Sequence, residues 1–155
     1  MKKIQISPVK KVEDAIVIWP EATPDVDIVQ DLIDIKIKPN SVKAIYSFDS
    51  LGFSDPKDVL KVLNNYFDML EPNGELYIIE NDHDYIARAF LGGDLPIEEM
   101  NLSFNRSTYL NSNEVSRLLE KVGIPEKNQR VWNQGMKFKK EHYQLIISGK
   151  KPVIK

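Results

Sequence analysis

With 155 residues, the chain has the length of one ordinary domain and can bury a full core without disulfide or metal staples. Charged residues make up 28 % and apolar ones 42 %, and the net charge of −2 gives neither a basic field for nucleic acid nor a bias toward a membrane surface. There is no cysteine, which excludes disulfides, thiolate chemistry and cysteine-bound zinc, and no apolar run approaches the roughly 18 residues of a membrane span.

Residues 3–7 read as a short strand, 15–19 as a second one closed by Pro20, and 26–29 as a third. Residues 43–48 are nearly all apolar, as befits a strand covered on both faces. A helix is expected from Pro56 to about Leu70, with Asp55 as N-cap and Asp58 in its first turn. Its apolar face should be Leu60, Leu63, Phe67 and Leu70. Pro72, Asn73 and Gly74 should then turn the chain into a fifth strand at 75–80. A short helix at 84–91 should stop at Gly92 and Gly93, with an irregular stretch over 94–110 that holds Asn101, Asn105 and Arg106. Asn111 and Glu114 form a capping-box pair, flanked by the Leu110–Val115 staple. The helix they open should bury Val115, Leu118, Leu119 and Val122 and end at Gly123. Strands at 129–133 and 143–148, joined by a lysine-bearing loop over 134–141, should pair antiparallel.

The run VKAIYSFDSLGFSDPKDVLKVLNNYFDMLEPNGELYII, residues 42–79, preceded by VDIVQDL, resembles the class I S-adenosylmethionine-dependent methyltransferases, in particular their small type 11 members. The resemblance spans 26–148 and implies one domain over 1–155. It implies an α/β, Rossmann-like methyltransferase fold: a mostly parallel sheet with an antiparallel C-terminal hairpin, and reduced N-terminal helices. It also implies S-adenosylmethionine as cofactor and methyl transfer to an unknown acceptor. On this likeness Ser7 opens the loop after strand one, Asp31 and Leu32 lie beside the adenine, and Phe48 and Asp49 lie near the methyl centre. His83 falls where the family sometimes places substrate or base residues, and Tyr109 is a second candidate to line a substrate pocket. No catalytic residue is assigned.

The chain departs from the family where the cofactor is held. The family's loop after strand one brings glycine backbone against the ligand; here it reads Ser7, Pro8, Val9, Lys10, and the first glycine of the chain is Gly52. Strand two ends in Trp19 and Pro20, with Glu21 the only acid near the position that binds ribose hydroxyls. Weak or absent cofactor binding is therefore expected. Each candidate also has a plainer role: Asp31 and Asp49 can cap turns, His83 can be merely solvated, and Trp19, Tyr85 and Tyr109 can pack. His142 most simply begins a strand. Two distant histidines make no metal site, and neither G-x-S-x-G nor a phosphate-binding loop is present.

A parallel crossover needs about a dozen residues or more. Only 8–14 lie between strands one and two, so no covering helix fits, and one sheet face should be bare. Ile4, Ile6, Ile16 and Ile18 are the candidates for that face, covered by a second copy of the chain or by residues 152–154 folding back. Two functional readings follow: a minimal methyltransferase, or a catalytically inactive relative that serves as a binding or assembly module. Glu13 and Asp14 break any signal-peptide layout, and a cytoplasmic location is expected.

Overall fold

The computed structural model describes residues 2–133, 137–138 and 142–154. Its strands are β1 (Lys2–Ile6), β2 (Ala15–Trp19), β3 (Ile28–Val29), β4 (Val42–Phe48), β5 (Leu70–Asn81), β6 (Gln129–Asn133), β7 (Lys137–Phe138) and β8 (His142–Lys150). Its helices are α1 (Ser50–Phe53), α2 (Val59–Met69), α3 (His83–Leu91), α4 (Ile97–Ser103) and α5 (Ser112–Val122). Short 3-10 turns lie at Leu32–Asp34 and Glu126–Asn128. The main sheet runs β3-β2-β1-β4-β5-β8-β6, and the short β7 pairs with β8. Pairing is parallel from β3 through β5; β8 is antiparallel to both β5 and β6. This is the Rossmann-like methyltransferase fold expected from the sequence.

The two faces of the sheet are unlike. Ile4, Ile6, Ile18, Ile45, Leu76, Ile78, Leu145 and Ile147 share a core with the buried stripes of α2 and α5. Neighbouring strands place Gln5, Tyr46, Tyr77, Ser148 and Arg130 in one row on the opposite face. As expected, neither the β1–β2 nor the β2–β3 connection contains a helix. The choice of bare face was wrong. Ile4, Ile6 and Ile18 have no exposed surface and Ile16 packs on the same core, because they face the helical layer, which spans the β1 side as well. Residues 152–154 do not fold back over them: Val153 is 49 % and Ile154 93 % exposed.

Three other expectations shift. The long helix begins at Val59 rather than at Pro56, since the Asp55 carboxylate accepts the Lys57 N–H (3.1 Å) and makes a separate turn. Its buried stripe is Val59, Val62, Leu63, Tyr66 and Met69, one position round from the expected face; Leu60 is exposed and Leu70 belongs to β5. The Pro72–Gly74 turn is instead a bulge inside β5. There Asn73 takes a φ of +66°, a left-handed conformation that asparagine tolerates better than most residues. A Cβ on Gly74 would stand 2.8 Å from the Glu71 carbonyl oxygen, so no side chain fits. The stretch 94–110 contains α4, a short helix with no fully buried residue, which rests Met100 and the following Phe104 on the small cluster of Ile86, Ala89 and Leu95. The cap of α5 is as expected: Asn111 Oδ1 accepts the Glu114 N–H at 2.8 Å, and Gly123 closes the helix at φ +111°. Lys139 and Lys140 of the expected loop, and the side chain of His142, lie outside the described residues.

Candidate functional site

Sheets of this kind take ligands beyond the carboxyl ends of their strands, at the point where strand order reverses. Here that point lies between β1 and β4. Ser7 follows β1, Trp19 ends β2, Asp31 and Leu32 follow β3, Phe48 and Asp49 end β4, and His83 follows β5.

The loop after β1 is closed on itself, and Gln5 closes it. This side chain is fully buried in an apolar strand. Its amide NH2 donates to Ser7 Oγ and to the Val9 carbonyl (2.7 Å). Its carbonyl oxygen accepts the N–H groups of Lys11 (2.9 Å) and Val12 (2.8 Å). Four partners satisfy the amide completely. Ser7 is itself buried, and its hydroxyl donates to the Val9 carbonyl at 2.6 Å. The Lys10 N–H donates to Asp25 at 2.9 Å, and Thr23 donates to the Pro8 carbonyl at 2.6 Å. Lys11 reaches β4, its ammonium 4.8 Å from the centre of the Phe48 ring.

Beside this loop lies a cleft of about 410 Å³, lined by Trp19, Glu21, Asp31, Leu32, Phe53 and neighbouring residues. Trp19 and Phe53 meet edge to face at 6.2 Å. Asp31 is exposed and its carboxylate caps the following turn by accepting the Ile33 N–H (3.1 Å). Leu32 is buried in the core at the cleft wall. Glu21, Asp31, Asp55 and Asp58 give the cleft an acidic lining with no lysine or arginine among its described lining residues. Of the five expected cofactor residues, the structure brings Asp31 and Leu32 to this cleft; Ser7, Phe48 and Asp49 stand outside its lining.

Asp49 belongs to a second arrangement that the sequence did not signal. Glu80, at the end of β5, is buried and accepts the N–H groups of Gly52 (2.8 Å) and Leu51 (3.2 Å). Burial, reinforced by the nearby Asp49 charge, holds the Glu80 carboxyl well above the usual carboxylate range. Arg106 lies 3.6 Å from Asp49 and stacks over Phe53 at 4.2 Å. A Cβ on Gly52 would meet Glu80 Oε1 at 2.8 Å, so glycine is required for the carboxyl to seat. Behind it, Ser47, Ser50 and Tyr66 form a buried hydroxyl chain, with Ser50 Oγ and Tyr66 O–H 2.8 Å apart. Burial pushes the Tyr66 phenol upward. Contacts across 28 residues, such as Gly52 to Glu80, leave no local pattern in the sequence; a lone acid ending an apolar strand was the only signal.

His83 and Tyr109 do come together, their rings 4.9 Å apart, with Phe104 completing the cluster. His83 Nδ1 accepts the Leu110 N–H (3.1 Å) and Nε2 lies 2.9 Å from the Ser103 carbonyl, which fixes the neutral Nε2–H tautomer. Burial lowers its pKa. With both nitrogens committed to backbone, this ring ties α3 to the end of α4 and has no lone pair left for a substrate proton. Tyr109 is 55 % exposed beside it.

S-adenosylmethionine, the cofactor implied by the fold, brings an amino-acid carboxylate to the loop after β1. In that loop Pro8 has no N–H, and the backbone N–H groups of Lys10, Lys11 and Val12 are already taken by Asp25 and Gln5. The adenine side retains a cleft, but the methionine side does not fit. No group of three or more potential metal ligands exists among the described residues.

No protein-family model matches the chain, and no curated protein matches it. Solved structures do. An S-adenosylmethionine-dependent methyltransferase of Thermotoga maritima superposes at a TM-score of 0.69 with 14 % identity, over 97 % of this chain and 81 % of that one. One from Methanosarcina mazei gives 0.66 with 11 % identity, over 99 % and 93 %. A chain of the Haloferax volcanii complex between the Trm112 methyltransferase activator and a candidate methyltransferase gives 0.64 with 12 % identity, over 99 % and 83 %. At these identities the likeness establishes one thing, and that is the fold of S-adenosylmethionine-dependent methyltransferases.

Proposed function

We propose that this chain uses the methyltransferase fold as a binding or assembly module, a catalytically inactive relative of small type 11-like enzymes. The carrying observation is the Gln5-centred loop, which turns its donors inward where a cofactor would need them. Loss of one charge-assisted hydrogen bond costs about 1.5–3 kcal/mol, roughly ten- to a hundredfold in affinity. We place the protein in the cytoplasm, as one domain; no helix among the described residues is long and apolar enough to cross a membrane.

Titration calorimetry with S-adenosylmethionine and its demethylated product tests this. The expected result is no saturable binding; a dissociation constant in the low micromolar range would refute the reading. A second reading, methyl transfer to an unidentified acceptor, is favoured by the cleft that keeps Asp31 and Leu32 beside Trp19 and Phe53. In that case Asp31→Ala weakens cofactor binding.

A further inference from the structure

Residues 103–110 form a strap from the end of α4 to the start of α5, and one imidazole holds both of its ends. His83 Nε2–H donates to the Ser103 carbonyl at 2.9 Å, while Nδ1 accepts the Leu110 N–H at 3.1 Å. The next residues inward, Phe104 and Tyr109, each place a ring 4.9 Å from the imidazole. Backbone adds to the clamp, since the His83 N–H donates to the Leu110 carbonyl at 3.0 Å. The middle of the strap is tied to α1. The N–H groups of Ser107 and Thr108 both donate to the Gly52 carbonyl at 2.9 Å, and the Thr108 hydroxyl donates to the Ser54 carbonyl at 2.7 Å. Arg106 stacks over Phe53 at 4.2 Å, and Phe53 is a wall of the cleft. The strap therefore connects the His83 ring mechanically to the cleft.

The clamp works only with a neutral ring. Nδ1 accepts through its lone pair; once protonated, both ring nitrogens are donors, and an Nδ1–H would face the Leu110 N–H. His83 is only 6 % exposed, so water cannot take over as acceptor without a local opening. The charges around the ring oppose each other. Arg106, on the strap, repels an imidazolium, and Asp82 attracts it, although the Asp82 carboxylate already accepts the Tyr85 N–H at 3.2 Å. Asp84, next on α3, is turned to the Asn111 amide at 3.1 Å. Burial outweighs the attraction and lowers the His83 pKa below the ordinary 6.5. The sign follows: the clamp holds fully above that ordinary value, and it weakens as pH falls from there toward the lowered one.

We propose that His83 is an acid-released clasp: uptake of one proton at Nδ1 frees the strap at Leu110 and loosens its hold on the cleft wall at Phe53. A buried histidine whose protonation breaks one specific contact is the general form of such a switch. The release is local, because the Leu110 side chain remains seated in the core shared by α2 and α5. The inference goes beyond the binding-module reading and holds whether or not the cleft takes a cofactor.

The test is nuclear magnetic resonance of the isotope-labelled protein from about pH 7.5 to 4.5. The chain has two histidines, and His142→Gln assigns their signals. At neutral pH the ring shifts of His83 should report the Nε2–H tautomer. On acidification Nδ1 and the Leu110 amide should move together, with one midpoint below that of a free histidine. Amide exchange at Ser107 and Thr108, corrected for its intrinsic pH dependence, should rise by up to about tenfold per pH unit over that window. Ile45 and Ile78 should stay protected. Trp19 fluorescence, read in a Trp132→Phe background, should follow the same midpoint. His83→Asn keeps an acceptor near Leu110 and cannot titrate, so it should abolish the acid step; Glu80→Gln and Asp82→Asn should leave it in place. If His83→Asn fails to fold, the joint titration of Nδ1 and the Leu110 amide in the native protein still decides. Titration of His83 without a change in the strap, or an acid step that survives in His83→Asn, would overturn the proposal. So would a Trp19 signal indifferent to that midpoint, or loss of protection at Ile45 and Ile78 together with the strap.

Discussion

The two faces of one sheet solve different problems. The face toward α2 and α5 is aliphatic and sealed, and its residues are chosen for volume. The other mixes the Tyr46–Tyr77 stack, Ser148 and Arg130 with the shorter row Phe48–Ile79–Ile146, and near β1 and β2 it is covered by the loop held on Gln5. Because strand side chains alternate, both sets are written into the same short segments, and a one-residue slip would exchange them. In this chain, then, the loss of covering helices has not left a raw hydrophobic surface; the exposed side has a composition that water tolerates.

The strongest way to break this contrast is to truncate on both sides. Ile78→Ala, in the sealed core, should cost about 2–5 kcal/mol in urea unfolding. Tyr46→Ala, on the open face, should cost about 1 kcal/mol, the worth of a stacked aromatic pair. Similar losses would mean that the open face is structurally as constrained as the sealed one. Next in size, Gln5→Ala should cost about 1–3 kcal/mol, since it strips four hydrogen bonds from the loop over β1 and β2. Amide exchange at Lys11 and Val12 should accelerate while Ile45 and Ile78 stay protected.

A pH titration sharpens the contrast at the strand ends. Glu80 has a raised pKa in the folded state, so the folded protein binds more protons than the unfolded one above the ordinary value of 4.5. Its contribution to stability is therefore greatest at low pH and declines as pH rises through that range, by at most about 1.4 kcal/mol per pH unit. Glu80→Gln should flatten that slope in melts recorded between pH 4 and 7, buffered at about equal ionic strength. The smallest expected effect is Asn111→Ala: removal of the α5 cap should cost about 1 kcal/mol, detectable as a uniform loss across the sealed layer.

What the sequence disclosed follows the range of the interactions. The strands, the β4–α2–β5 unit and the α5 cap depend on residues within a turn or a pleat of one another, and these were legible. The stripe of α2 was displaced because Leu60 and Leu70 look as apolar as Val59 and Val62; only the place where the strand begins decides between them. The Gln5 closure was hidden because a side-chain amide bonding backbone seven residues away has no periodicity. Glu80, Arg106 and Gly52 meet only after the chain has folded. Of the candidate site, the cleft residues Asp31 and Leu32 were visible through the family resemblance, while the contact of Trp132 with Ser148 and Arg130 depends on strands distant in sequence.

The order of the strands also has a consequence during synthesis. β6 is made before β8 yet pairs in the main sheet with β8 alone, and the free edge of β5 waits for the same segment. A ribosome must therefore release residues 142–150 before either edge is closed. Just past them, Lys151 caps the assembly by donating to the carbonyls of Phe67 and Leu70, both at 2.9 Å. Until then the nascent chain presents two open strand edges, the kind of template on which β-rich intermediates aggregate. The rate at which the segment carrying β8 is translated should thus bear on the soluble yield more than the rate for any earlier stretch of similar length.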